Sequence, residues 1–117
     1  MAVLEQVRIE GQTFDLDEEG YLVQMNDWSV AAANFLAQRE GVGPLTDETL
    51  DMLKYIRWYY QKYNYFPIVN SVCKNVNLPK GCVGERFLNP LVAWKLAGLP
   101  RPEEPVMSLL AAGQSPG

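Results

Sequence analysis

The chain has 117 residues, 48% of them apolar and 21% charged, with a net charge of −4. That balance predicts one globular domain and excludes wholesale disorder, and no run of about 18 apolar residues is present to cross a membrane. The absence of histidine excludes Ser/His and Cys/His relays, and two cysteines are too few for a disulfide scaffold or a four-thiolate zinc site. No basic stretch leads into an apolar run at the N-terminus, so the cytoplasm is the expected location. Neither Gly41 and Gly43 nor Gly81 and Gly84 are followed by Gly-Lys-Ser/Thr, so no phosphate-binding loop is expected, and no cofactor or metal site either.

Charge is segregated along the chain. Residues 1–53 hold eleven acidic and two basic residues, whereas 54–101 hold eight basic residues and one acid, Glu85. A dipolar molecule with a basic face for an anionic partner is one outcome. Two halves that fold together and pair their charges is the other, and we prefer it because separation along a chain need not survive folding.

The elements follow in chain order. Val7 and Ile9 alternate with Arg8 and Glu10, and Thr13 to Leu16 resumes the alternation after a turn at Gly11. Asp17-Glu18-Glu19-Gly20 reads as a second, solvated turn and Tyr21 to Val23 as a third strand. Such a meander is too small to stand alone and must pack on helices. The acidic run at 15–19 lacks the ligand pattern of a calcium loop. Asn26, Asp27 and Ser29 offer N-cap oxygens for a helix over Val30–Arg39, which Gly41 stops. Thr46 caps a second helix running to Tyr63, with Leu50, Leu53, Ile56, Tyr60 and Tyr63 as its buried stripe. Met52, Tyr55, Trp58 and Tyr59 add aromatic and apolar surface on its other faces; core is the preferred role for the cluster, a partner patch the alternative. Pro67 opens a third helix to about Val76, a single turn spans Gly84–Leu88, and Pro90–Ala97 forms the last helix, ended by Gly98 and sealed by Pro100 and Pro102. The fold class is α+β, a small antiparallel β-meander packed on four to five helices.

Cys73 and Cys82 are the candidate thiols. Lys74 and Lys80 lie near them, and a neighbouring ammonium lowers a thiol pKa, which would suit a persulfide carrier or a redox pair. We prefer Cys73 as a small core residue and Cys82 as a loop thiol, since a disulfide is not expected in a reducing cytoplasm. The late helices with Lys74, Lys80, Arg86 and Lys95 also have a loose helix-turn-helix look, although the break from Asn77 to Gly84 is long for one.

Several stretches together resemble the DsrC/TusE family. They are Gly20-Tyr21-Leu22 with Asp27-Trp28-Ser29, Arg39-Glu40-Gly41, the run Tyr55-Ile56-Arg57-Trp58-Tyr59-Tyr60 with Asn64 and Pro67, and above all Lys95-Leu96-Ala97-Gly98-Leu99-Pro100-Arg101-Pro102. The resemblance spans about residues 5–106 and implies a β-meander on a helical array. It also implies a place in sulfur metabolism, since the family comprises the gamma-type partner of dissimilatory sulfite reductase and a sulfur carrier of the tRNA 2-thiouridine relay. Both work through a cysteine next to the last residue of a mobile C-terminal arm. Here that position falls on Pro105, with Val106 as the family's last residue, and a second family cysteine falls on Trp94. The segment between Val69 and Pro90, which carries both cysteines, is shorter than in the family. We therefore expect a domain over 1–106, a flexible tail over 107–117, and a binding or regulatory role without arm-cysteine chemistry. Its partner would be a sulfite reductase of alpha/beta type or a sulfurtransferase, docked on Trp94, Lys95, Arg101, Pro102, Pro105 and Val106. The alternatives are a persulfide carrier using Cys73 or Cys82, and a helix-turn-helix-like DNA-binding regulator.

Overall fold

The computed structural model describes residues 5–65 and 67–102. Strands β1 (Glu5–Ile9) and β2 (Gln12–Leu16) form an antiparallel hairpin in which Val7 faces Phe14. Glu10 and Gly11 both have positive φ, the backbone of a two-residue hairpin turn whose twist matches that of the strands. The expected third strand is reduced to one bridge, Leu16 to Leu22. The cause is Asp17: its Oδ1 accepts from the amides of Glu19 and Tyr21 at 2.8 and 2.9 Å, holding the chain in a tight turn from which Tyr21 enters too briefly for a ladder. Asp17 is buried rather than solvated.

A 3₁₀ turn at Met25–Asp27 leads to α1 (Val30–Arg39), capped by the Ser29 hydroxyl accepting from the Ala32 amide. Then come α2 (Asp47–Tyr63), α3 (Val69–Asn75), α4 (Cys82–Phe87) and α5 (Pro90–Leu96). The capping box of α2 pairs Thr46 with Thr49. Asn89 caps α5 by accepting from the Val92 amide, with Pro90 at its first position. Among the described residues the architecture is α+β, a two-stranded hairpin on five helices.

Ala32, Ala33 and Ala37 give α1 a shallow face, so α5 packs closely against it. The core behind them holds Phe14, Leu36, Met52, Ile56, Phe87, Trp94, Leu96 and Leu99. On α2 the buried stripe is Thr49, Met52, Leu53 and Ile56, not the expected set: Leu50 is only half-buried and Tyr63 is exposed. Every residue from Gln61 to Tyr65 is exposed, so the helix end has no cover among the described residues. Among the described residues no helix is long and apolar enough to cross a membrane, and no group of three or more His, Cys, Asp and Glu is placed to hold a metal ion.

Candidate functional site

The end of α5 and the segment leaving it, Lys95–Pro102, are held by side chains from the C-cap of α1, from α2 and from the turns before α1. A helix leaves its last four carbonyls without helical partners. Here all four are taken. The amides of Leu99 and Gly98 donate to the carbonyls of Trp94 and Lys95 at 3.2 and 3.0 Å, the pairing of a Schellman cap around Gly98 at φ +75°. The Trp28 indole N–H donates to the Leu96 carbonyl at 2.8 Å, and Arg57 Nη1 donates to the Ala97 carbonyl at 3.0 Å. The other Arg57 nitrogen donates to the Met25 carbonyl at 3.0 Å, and the guanidinium lies 4.7 Å from the Trp28 ring. Burial lowers the Arg57 pKa below its ordinary value, yet a guanidinium stays charged at any physiological pH.

A Cβ on Gly98 would stand 2.7 Å from Trp28 Cδ1 and 3.1 Å from Arg57 Nη1. Both the left-handed backbone and the close approach therefore require glycine. This is the physical content of the Lys95–Pro102 stretch: the helix must end in one residue, and its end must be clasped from the far side by α2 and the 3₁₀ turn.

The flank of this segment is electrostatic. Lys95 Nζ reaches Glu40 Oε2 at 3.2 Å and the Glu19 carbonyl at 3.1 Å, and sits 4.7 Å from the Tyr21 ring centre. Arg101 reaches Glu19 at 3.1 Å and Glu18 at 4.0 Å. Glu40 caps the C-terminus of α1, where a negative charge opposes the helix dipole, and Lys95 offsets it. Burial, followed by the charges of Glu19, Glu40 and Asp17, pushes the Tyr21 hydroxyl up to about 12.

The residues expected to form a docking surface therefore separate. Trp94 lies wholly inside the core and offers nothing to a partner, which corrects its assignment. Lys95 is turned inward to Glu40 with 14% of its side chain exposed, and Arg101 is shared with the Asp17–Gly20 turn at 31%. Pro102 is buried, while Pro105, Val106 and the tail 107–117 lie outside the described residues.

The thiols are likewise corrected. Cys73 on α3 and Cys82 at the start of α4 are joined as a disulfide, with Cα atoms 5.8 Å apart, and both are buried. Cys82 is a core residue and not a loop thiol, because Gly81 in a left-handed turn starts α4 directly beneath α3. The chain has no other cysteine. In the late helices Arg86 pairs with Glu48 and Lys95 with Glu40, and α5 is turned into the core through Ala93, Trp94 and Leu96. Lys74 and Lys80 are exposed, whereas Lys95 and the apolar face of α5 are turned inward.

Sequence reasoning did not identify Trp28, Arg57 or Glu40 as parts of this site. The signals present were weak: a tryptophan beside an N-cap, an arginine at a half-buried helix position, and a glutamate just before a helix-ending glycine.

The family model described as DsrC like protein matches residues 8–106. The chain belongs to the DsrC-like family. It is 34% identical over 107 residues to a Sulfurtransferase TusE of Yersinia pseudotuberculosis, covering 82% of this chain and 96% of the relative. It is 28% identical over 99 residues to the gamma subunit of a dissimilatory-type sulfite reductase of Nitratidesulfovibrio vulgaris, covering 83% and 94%. The crystal structure of the oxidised gamma subunit, DsrC, of Archaeoglobus fulgidus superimposes with a TM-score of 0.70 at 29% identity, over 85% of this chain and 97% of that one. This DsrC-like chain is thus a protein of sulfur metabolism whose α+β fold is that of its relatives.

Proposed function

We propose that this protein is a binding or regulatory partner of a sulfite reductase or a sulfurtransferase, acting without arm-cysteine chemistry. One observation carries the reading: the arm root is fully built and clamped, while both cysteines of the chain are buried and bonded to each other. A sulfur carrier needs an accessible thiolate to accept sulfur. The position of the family's arm cysteine falls on Pro105, which has no nucleophile. What remains is an arm root held at Arg101 and Pro102, next to the positions of Pro105 and Val106 in the sequence. The docking surface then consists of Pro100, the free side of Arg101 and the arm to Val106, with Lys95 supporting it from beneath.

Intact-protein mass spectrometry after exposure to a persulfidated sulfurtransferase tests the chemistry. The expected result is no gain of a sulfur atom on the wild type. A gain that disappears in Cys73→Ser or Cys82→Ser would establish a carrier with a relocated thiol instead. Calorimetric titration with a purified alpha/beta-type sulfite reductase, and separately with a sulfurtransferase, tests the docking. Binding to one of them that weakens with Arg101→Glu supports the reading, and heatless titrations with both refute it.

A further inference from the structure

The junction between α2 and α3 gathers apolar side chains in the open. Among the described residues six large apolar side chains are exposed, and four of them, Trp58, Tyr63, Tyr65 and Ile68, fall in this short stretch at 45–53% exposure. Every residue from Gln61 to Tyr65 is exposed, and Asn64, with φ +52°, turns the chain from the end of α2 toward Ile68 at the head of α3. The segment around this junction is cationic. Between Asp51 and Glu85 the sequence has no acidic residue and five basic ones. Arg57 is turned inward to backbone carbonyls, but Lys54, Lys62, Lys74 and Lys80 are exposed, and none has a carboxylate partner among the described residues. Elsewhere Arg39, Arg86, Lys95 and Arg101 are each paired with one. Lys54 and Lys62 stand one turn to either side of Trp58 on the same stripe of α2. Lys62 Nζ lies 5.1 Å from the Trp58 ring centre and 5.5 Å from that of Tyr63.

We propose that this end of the molecule docks on the surface of an anionic lipid bilayer, with Trp58, Tyr63, Tyr65 and Ile68 in the headgroup layer and Lys54 and Lys62 on the lipid phosphates. Three observations select this occupant. The first is side-chain type. Trp and Tyr, an apolar ring with one polar atom, suit the boundary between headgroups and acyl chains, and lysine stems lie along apolar surface while their ammonium groups reach the phosphates. The second is charge. Unpaired lysines on an acid-free segment match a negative surface, each contributing about fivefold in affinity, whereas Asp47, Glu48 and Asp51 at the other end of α2 turn the rest of the helix away from it. The third is the packing of the rings. A single strand of nucleic acid needs open ring faces on which to stack its bases, but here Lys62 stands over Trp58 and Tyr63, and Tyr59 lies 4.6 Å from Tyr63. Ile68 offers a base nothing to stack on. A second copy fits less well, because a two-fold contact through this end sets Lys62 against Lys62. Among the described residues no helix can cross a bilayer, so the contact is peripheral. The inference does not depend on the identity of any sulfur-metabolism partner.

The test uses the full chain and extruded vesicles, one set of pure phosphatidylcholine and one with an equal part of phosphatidylglycerol. The expected result is co-sedimentation with the second set at low salt, a blue-shifted tryptophan emission, and release as salt is raised. Trp28 and Trp94 are held in the fold, so the shift belongs to Trp58. Trp58→Ser is expected to abolish it and to lower the partition coefficient by about tenfold. Lys54→Gln combined with Lys62→Gln, two surface changes that leave the core untouched, is expected to lower the coefficient by about 25-fold. No sedimentation with the anionic vesicles at low salt would overturn the proposal, and so would unchanged binding in the lysine double variant. An emission shift produced by an oligo-dT strand and not by vesicles would overturn it in favour of single-stranded nucleic acid. A shift produced by raising the protein concentration alone, with none on adding vesicles, would overturn it in favour of a second copy.

Discussion

Gly98 is where the chain turns from helix to arm, and its surroundings leave no room for a side chain. Gly98→Ala places a methyl group 2.7 Å from Trp28 Cδ1 and keeps a left-handed φ of +75°. Strain and overpacking together predict a loss of about 2–4 kcal/mol in urea unfolding. Arg57→Met keeps much of the volume but strands the Ala97 carbonyl, while the Met25 carbonyl keeps its bond from the Trp28 amide at 3.2 Å. A loss of about 2–3 kcal/mol is expected from the same measurement, since an unsatisfied buried acceptor retains its desolvation cost. Of these residues only Gly98 was legible in the sequence, where a glycine followed by Pro100 marks a helix stop. Trp28 and Arg57 reach their carbonyls across 68 and 40 residues of chain, and no local spacing encodes that. Trp94 misled for a related reason. The resemblance placed a family cysteine there and so suggested a functional position, but the large ring lies wholly inside the core, so burial and not contact decides its role.

At the scale of elements, the sequence showed most of the helix limits because caps are local. Ser29, Thr46 and the Pro90 position all act where expected. Thr46→Ala removes the oxygen that accepts from the Thr49 amide and should lower stability by about 1 kcal/mol. The stripe on α2 was misplaced because an amphipathic helix shows which residues share a face, while the point at which neighbouring elements stop covering it depends on tertiary packing. Helices α3 and α4, seven and six residues long, are too short to persist alone. The Cys73–Cys82 bond fastens them across a separation of nine residues. Closing so short a loop is expected to stabilise by about 2–3 kcal/mol. The double substitution Cys73→Ala/Cys82→Ala, or reduction during unfolding, should therefore lower the urea midpoint by a matching amount. An unchanged midpoint would show that the packing of Val72, Val83 and Phe87 already fixes the pair. Sequence reasoning favoured free thiols because compartment was weighed ahead of geometry, and geometry became available only when the Asn77–Gly81 turn set Cys82 beneath Cys73.

At the scale of the whole molecule, the two oppositely charged halves of the chain interlock. Arg86, Lys95 and Arg101 from the basic half pair with Glu48, Glu40 and Glu18–Glu19 from the acidic half. Surface pairs such as Arg86–Glu48 and Arg101–Glu19 contribute at most about 1 kcal/mol each; the effect of the Arg101 pairs lies in orientation, since they hold the Asp17–Gly20 turn against the arm root. Tyr21 lies at the centre of this junction, buried under Lys95 with three carboxylates near it. Its pKa in the fold, about 12 against an ordinary 10, makes the junction sensitive to alkali. Below pH 10 the hydroxyl is protonated in both folded and unfolded chains, and the contribution is pH-independent. Between 10 and 12 the unfolded chain releases the proton and the folded chain keeps it, so stability falls as pH rises, by about 2–3 kcal/mol over the window. Phenolate absorbance should show one of the six tyrosines ionising last, near 12, in the folded protein, and all six together near 10 in urea. Tyr21→Phe should abolish the late step and flatten the decline of unfolding free energy between pH 10 and 12. A wild-type titration with all tyrosines ionising near 10 while the protein remains folded would mean that the junction is open to water and that the arm root is not clamped against the Asp17–Gly20 turn.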